Sequence, residues 1–418
     1  MNNKAELINK NVILDKKDNF YIKFISVVVF LSLISQASIF VESGIVSVIS
    51  TSIWFIAFAV GLYKTHGKII IDNFTFVCLF LVAAIFLLSL VDVSYIETRI
   101  LRQLVIAVFV YLTSKLFDVK DRDKLFLSLA KSYFFACTIL CIDTYLVYLM
   151  GGSFNEEGLY AYGSKNSLGI ILLTALIFLY TFILNKTTSK NKKAVYIIIS
   201  IFMMYVVVIM ASRAALVSAL AVLLYSLIIA KIPFKTKLII LGLSTILILI
   251  IVLNPELQEQ ILNIIKANRD SDDLSDISSG RTDEWKKFFN TFYNYLIIGY
   301  GEYKIESFPL SVLYQYGMIL GGLFIGLAFY PLMVCKKYRK TKHCDKRILL
   351  CCILIFIACI VNSIFEELAP FGPGVKCFAL WFLCGLFTVK PKKQLCVAQE
   401  DKLIDKNAIF KKENEVNE

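Results

Sequence analysis

The chain has 418 residues, of which 58% are hydrophobic and 18% are charged. Its mean hydropathy is +0.71, whereas a soluble domain carries about 45–50% apolar and about 25% charged residues. The excess lies in apolar runs of about 17–24 residues, the length that crosses a hydrocarbon core of about 30 Å. This composition predicts an integral membrane protein. It excludes a soluble enzyme, and also a transmembrane β-barrel, whose strands alternate in polarity over about 10 residues.

Cysteine and histidine usage narrows the chemistry further. There are 11 cysteines, an odd number, and none shows a CxxC-type spacing, so we predict neither a zinc site nor structural disulfides. The two histidines, His66 and His343, fall in basic loops that we assign to the cytoplasm. The sequence therefore predicts no bound metal and no histidine-based acid or base at the outer face.

Twelve apolar runs predict an all-α, polytopic membrane protein whose residues 1–418 form a single membrane domain. In chain order the runs cover residues 22–41, 45–63, 70–91, 100–117, 132–150, 167–185, 194–211, 214–230, 237–253, 310–334, 348–364 and 375–389.

The distribution of basic residues predicts the orientation of these runs. With the N-terminus in the cytoplasm, 33 of the 44 Lys and Arg residues fall in cytoplasmic segments, as the positive-inside rule requires. Both termini are then cytoplasmic, and residues 390–418 form a polar cytoplasmic tail. This topology accounts for the net charge of +12, and no nucleic-acid partner is needed to explain it.

The same topology leaves one long extracytoplasmic loop, residues 254–309. Residues 255–269 carry apolar side chains at helical spacing, and residues 269–280 are polar. Thr282 is then expected to cap an amphipathic helix on the membrane surface, with two acidic residues in its first turn. Long loops in compact proteins are usually functional or disordered.

Two arginines are candidates for binding an anion at the outer face. Arg213 lies between two long apolar runs with almost no loop between them, so it either reaches toward lipid headgroups or binds an anion with its planar guanidinium. Arg281 precedes the predicted surface helix, whose first N–H groups favour anions. A solvated loop arginine is the alternative interpretation of Arg281.

Other polar residues lie near the same face. Glu306 ends the long loop, and a carboxylate held near the membrane can act as a general base. An ordinary acid at the membrane boundary is the alternative. Lys165 and Asn166, at the start of the sixth run, and Asp143 within the fifth run, are further polar candidates.

The order of these motifs resembles the O-antigen polymerase and O-antigen ligase superfamily of membrane glycosyltransferases, the Wzy-type and WaaL-type enzymes. The resemblance covers roughly residues 150–330, where the following segments stand in the family's order: Gly163-Ser164-Lys165-Asn166-Ser167-Leu168-Gly169, Ser212-Arg213, Gly280-Arg281 with Trp285, Gly299-Tyr300-Gly301, Glu306-Ser307-Phe308, Tyr316-Gly317 and Gly321-Gly322.

This resemblance implies an inverting glycan transfer at the outer face of the bacterial plasma membrane, without a metal or another cofactor. The donor is a glycan on undecaprenyl pyrophosphate in membrane lipid, and a chain-length regulator and a flippase are implied partners. The family's two arginines hold the pyrophosphate, and they match Arg213 and Arg281. Arg281 is also expected to take part in catalysis, and Lys165 and Asn166 to contact substrate.

One position departs from the family. A His-Asn pair is frequent where this chain has Glu306-Ser307, and ligases usually have the histidine. Glu306 is therefore our candidate base, and its presence favours a polysaccharide polymerase over a ligase. A ligase that moves finished glycan to another acceptor remains an alternative, as does a lipid-linked oligosaccharide flippase. A flippase is expected to show repeated halves, and the sequence contains no visible repeat.

Overall fold

The computed structural model describes residues 2–42, 46–95, 98–117, 119, 121–150, 165–184, 188–210, 212–228, 280–301, 305–341, 344–367, 369–371 and 376–389, with isolated positions 234, 237–238, 242 and 255. All regular elements within these residues are helices, so the described part of the chain is all-α as predicted. The predicted segment 255–269 and the tail 390–418 lie outside the described residues, apart from position 255.

Fourteen α-helices are present in the described ranges. We number them in chain order: α1 Asn2–Ile34, α2 Ser38–Glu42, α3 Val46–Lys64, α4 Asn73–Ser89, α5 Thr98–Leu116, α6 Arg122–Leu149, α7 Lys165–Leu184, α8 Lys190–Ile209, α9 Arg213–Ile228, α10 Arg281–Thr291, α11 Phe308–Ala328, α12 Tyr330–Arg339, α13 Lys346–Phe365 and α14 Phe378–Thr388. Short 3₁₀ turns occupy Val93–Tyr95 and Phe292–Tyr295.

The helices coincide with eleven of the twelve predicted apolar runs, and most of the run at 237–253 lies outside the described residues. Within the described ranges, four helical stretches are long and apolar enough to cross a membrane: Arg122–Leu149, Lys190–Ile209, Phe308–Arg339 and Lys346–Phe365. Five shorter apolar helices accompany them. The total of twelve spans stays a prediction.

The first predicted run, 22–41, is wrong as a single helix. Helix α1 begins near the start of the chain and ends at Ile34, and α2 begins at Ser38. Asp143 of α6 lies at this division, where its carboxylate accepts hydrogen bonds from the backbone N and the Oγ of Ser38, at 2.9 and 2.8 Å. The Asp143 carboxylate thus satisfies a free N–H group at the start of α2.

The tenth predicted run, 310–334, is also interrupted. Gly317 has φ 69° and ψ −173° inside α11, a backbone conformation that is accessible mainly to glycine. At this break the chain before α11 pairs with the helix: Tyr300 N donates to Tyr314 O at 2.7 Å, and Met318 N donates to Leu296 O at 2.8 Å. The break therefore fastens the end of the long loop to α11.

Aromatic side chains form the centre of the helical bundle. The Trp381 ring on α14 lies 5.0 Å from Phe74 of α4 and 5.2 Å from Phe371, between ring centroids. Trp54 of α3 lies 5.2 Å from Phe378. Rings of this size bury large apolar areas. Side chains of α3 and α4 thus reach α14, whose backbone packs chiefly against α5 among the described helices.

Helix ends that the predicted topology places on the same side of the membrane contact each other in the structure. Arg347, at the start of α13, donates to Asp123 at the start of α6, at 2.8 Å; both ends were assigned to the cytoplasm. At the opposite ends, Asn166 of α7 donates to Glu366, which follows α13, at 2.6 Å. These contacts support the alternation of the helices, and the side that faces the cytoplasm stays a prediction.

A small residue permits α7 and α9 to pack closely at their N-terminal ends. A Cβ atom placed on Gly169 of α7 would lie 2.5 Å from Ser212 Oγ and 2.6 Å from Ala215 Cβ. Small residues at helix interfaces let backbones approach in membranes. The two helix starts that carry Lys165 and Arg213 are therefore held together by a contact that has no room for another methyl group.

We expect Gly169→Ala to lower the free energy of unfolding by about 1–3 kcal/mol, because the methyl group overpacks this contact. Thermal unfolding of the purified protein in detergent, followed by circular dichroism, measures the change. Gly322→Ala is the matched control, since nothing lies within 4 Å of its added Cβ. The control should stabilise α11 by up to about 1 kcal/mol, and equal melting temperatures for the two variants would contradict the prediction.

Candidate functional site

Helix α10 within the long loop forms the first part of the site. The helix begins at Arg281, and Gly280 precedes it as the N-cap with φ 81°. The prediction that Thr282 caps the helix is wrong, because the left-handed turn at Gly280 starts the helix earlier. Asp283 and Glu284 lie in the first turn as predicted, where carboxylates interact favourably with the helix dipole.

An apolar cluster fixes α10 against α11. Phe288 of α10 packs with Ile305 and Tyr314, and all three side chains are buried. Thr291 Oγ1 donates to Tyr314 Oη at 3.1 Å. The helix predicted to lie on the membrane surface thus uses its apolar face for packing within the protein, and its start is held at a defined position.

Arg281 and Glu306 form an ion pair at the start of α10. The distance from Arg281 Nη2 to Glu306 Oε2 is 2.7 Å, with the side chains 16% and 42% exposed. The backbone N of Glu306 donates to Glu284 Oε2 at 2.9 Å, which ties the end of the long loop to α10. Arg281 Nε is buried and has no hydrogen-bond partner in the described structure. A buried unpaired donor is costly, so this edge of the guanidinium is suited to receive an anion.

Lys165 and Arg213 stand at two helix starts that meet, because Ser212 Oγ, beside Arg213, donates to Asn166 Oδ1, beside Lys165, at 3.1 Å. Lys165 is the first residue of α7, and Arg213 is the first residue of α9. The positive charges of Arg213 and Arg281 both act electrostatically on Lys165. The three cations are separated by 48 and 68 residues along the chain, and the folded chain brings Arg213 and Arg281 within electrostatic reach of Lys165.

A second group of polar residues joins the same helix ends. Asn166 Nδ2 donates to Glu366 Oε1 at 2.6 Å, and Ser212 Oγ donates to Asn166 Oδ1 at 3.1 Å. Lys376 Nζ donates to Glu366 Oε2 at 3.1 Å, and its side chain is only 2% exposed. Sequence reasoning missed Glu366 and Lys376 as site residues. Charged residues beside an apolar run were the available signal, but their partners are distant in sequence.

The predicted site residues thus meet in one region at one end of the bundle. Three helices begin there with a cation: α7 with Lys165, α9 with Arg213 and α10 with Arg281. A helix start adds free N–H groups and a partial positive charge. This arrangement can bind a multiply charged anion and stabilise negative charge that develops during a reaction. Within the described residues, no group of three His, Cys, Asp or Glu side chains is placed to hold a metal ion.

Residues 198–322 match the model of the family described as O-antigen ligase. The match includes Arg213, Arg281 and Glu306, and it ends within α11. Lys165, Asn166 and the pair Glu366–Lys376 lie outside it. The comparison with curated proteins finds no match.

The ion pair predicts that Glu306 competes with anionic ligands for Arg281. We expect Glu306→Gln to bind inorganic pyrophosphate about three- to tenfold more tightly, because the amide no longer neutralises the guanidinium. Isothermal titration of the detergent-solubilised protein with pyrophosphate measures the affinity.

Asp283→Asn is the matched control for Glu306→Gln. It removes one negative charge from the same helix, where Asp283 pairs with the exposed Lys286 at 3.5 Å. An equal gain in affinity for this control would assign the effect to net charge instead of to the pair.

Proposed function

We propose that this chain, which belongs to the O-antigen ligase and polymerase superfamily, is a polysaccharide polymerase of the bacterial plasma membrane. It would transfer the growing glycan from undecaprenyl pyrophosphate to a hydroxyl of a lipid-linked repeat unit at the outer face. A chain-length regulator and a flippase are its proposed partners. The match to the family supports glycan transfer, and the residues of the site support the finer assignment.

The convergence of Lys165, Arg213 and Arg281 is the observation on which the proposal depends. Pyrophosphate leaves with two or three negative charges, and guanidinium groups bind its oxygens in a planar, bidentate geometry. Fixed cations in a poorly hydrated site stabilise a leaving anion strongly, because they need no reorganisation as the charge develops. In this proposal the three cations perform the stabilisation that a divalent metal performs in other phosphate chemistry.

The ion pair between Arg281 and Glu306 suggests an order for the steps of the proposed transfer. When the pyrophosphate binds, its oxygens compete with the Glu306 carboxylate for Arg281 and release it. The acceptor hydroxyl then attacks the anomeric carbon, the bond from that carbon to the pyrophosphate oxygen breaks, and the hydroxyl proton passes to Glu306. Attack from the face opposite the leaving group inverts the anomeric configuration, as in other sugar transfers that use carboxylates.

A ligase is the second candidate, since the matched family is described as O-antigen ligase. Both activities release the same carrier pyrophosphate, so the same arginines serve either reaction. Purified lipid-linked repeat units supplied as the only substrate separate the two, because a polymerase extends them and a ligase requires a different acceptor. We favour the polymerase because Glu306 stands where ligases usually have histidine.

We expect Arg213→Ala and Arg281→Ala each to abolish elongation of lipid-linked repeat units in proteoliposomes. Arg→Lys at either position should lose more than about tenfold, because an ammonium group cannot form the bidentate contact. Gel analysis of the glycan ladder measures the product. Lys286→Ala is the matched control, since its side chain is 70% exposed. A normal ladder from either alanine variant, at normal protein level, would remove the pyrophosphate assignment.

For Glu306 we expect both Glu306→Ala and Glu306→Gln to slow elongation by about 10²- to 10⁴-fold, the usual contribution of a general base. The glutamine variant should elongate slowly even though we expect it to bind pyrophosphate more tightly than the unmodified chain. Single-turnover rates measured with saturating donor separate the two effects. If the glutamine variant elongates at the normal rate, Glu306 orients the acceptor and does not accept its proton.

A further inference from the structure

Glu366 is the point at which four separate parts of the site region meet. Its side chain bonds to Asn166 of α7 and to Lys376 before α14, and its backbone O accepts a hydrogen bond from Phe308 N of α11 at 3.1 Å. Asn166 in turn accepts from Ser212, the residue before α9. We infer that Glu366 is a positioning residue, which acts through Asn166 to hold the cation-bearing starts of α7 and α9 in register. This inference rests on the proposed function.

The first step of the argument is adjacency along the chain. Asn166 is the neighbour of Lys165, and Ser212 is the neighbour of Arg213. The path from Ser212 Oγ to Asn166 Oδ1, and from Asn166 Nδ2 to Glu366 Oε1, spans two hydrogen bonds of 3.1 and 2.6 Å. A shift of the Asn166 amide therefore moves the residues beside both cations. Sub-ångström positioning of charged groups strongly affects transition-state stabilisation.

The second step is that the surrounding structure holds Glu366 firmly. Its side chain is 16% exposed, and Lys376 beside it is 2% exposed. A largely enclosed carboxylate with a charged partner and an amide donor has both oxygens fixed. The segment after Glu366 is also fastened, because Trp381 Nε1 donates to Pro370 O at 3.0 Å. Glu366 is thus a rigid anchor for the Asn166 amide.

The third step separates Glu366 from Glu306. Both oxygens of Glu366 accept hydrogen bonds from protein groups, and the carboxylate balances the charge of a buried lysine. It is therefore poorly placed to take a proton from an acceptor hydroxyl. Glu306 is 42% exposed and pairs through one oxygen, so the two carboxylates have different roles.

Two double variants test the inference. Glu366→Gln with Lys376→Gln replaces the ion pair by neutral amides and keeps an acceptor for Asn166 Nδ2. Glu366→Leu with Lys376→Leu also removes both charges but leaves Asn166 without that acceptor. Neither variant leaves a single charge buried without a partner, which is the change that destabilises most. Asp123→Asn, at the opposite ends of the helices, controls for loss of a carboxylate.

The readouts are elongation kinetics in proteoliposomes and the rise in melting temperature on adding inorganic pyrophosphate to the full chain in detergent. We expect the glutamine pair to keep kcat within about threefold of the unmodified chain and the leucine pair to lose about tenfold or more. The pyrophosphate-dependent rise in melting temperature should persist in the glutamine pair and shrink in the leucine pair.

Two outcomes overturn the inference. If both double variants are folded and both keep a kcat close to that of the unmodified chain, the acceptor for Asn166 does not position the site. A folded glutamine pair as inactive as the leucine pair shows that the carboxylate charge matters and not the tether. If the leucine pair does not fold, Ser212→Ala carries the test. It removes the other hydrogen bond to Asn166 and should lower kcat by about threefold, and an unchanged kcat refutes the inference.

Failure of the proposed function has a different signature. If the unmodified chain does not elongate lipid-linked repeat units, yet its pyrophosphate-dependent stabilisation is lost in the leucine pair and kept in the glutamine pair, the polymerase assignment fails and the positioning role stands. If the unmodified chain elongates and the two pairs behave alike, only the positioning role fails.

Discussion

Repulsion between like charges is the constraint on which the site depends. The charges of Arg213 and Arg281 both act on Lys165 at the start of α7, and such repulsion is screened less inside a protein than in water. Such a cluster needs anions nearby. Glu306 supplies one directly through its ion pair with Arg281, and the pyrophosphate of the proposed donor would add further negative charge. The stored repulsion favours binding of a multiply charged ligand.

The two carboxylates of the region balance charge in different ways. Glu366 pairs with a lysine that is almost fully buried and is held on both oxygens, so its role is to fix backbone elements. Glu306 is more exposed and belongs to a loop fastened by Glu284, so a ligand can displace it. The difference in burial makes Glu366 a fixed anchor and leaves Glu306 an exchangeable partner. Such an arrangement is expected where one acid must change its contacts during a reaction.

Close backbone contacts make this arrangement possible. Gly169 lets α7 and α9 approach until Ser212 reaches Asn166, and the break of α11 at Gly317 fastens the end of the long loop. These contacts carry no charge of their own. They determine where the charged residues stand, since each cation is the first residue of a helix whose start they fix.

The sequence by itself determined the helical class, the approximate places of eleven apolar runs that described helices occupy, and the identity of Arg213, Arg281 and Glu306 as candidates, because apolar runs and isolated charges are local signals. Only the tertiary structure decided that Arg281 pairs with Glu306, and that Glu366 anchors Asn166 across 200 residues. It also corrected the start of α10, which a left-handed glycine determines. Pairing between distant residues depends on how the helices pack. A hydropathy pattern does not indicate which helix ends will contact each other.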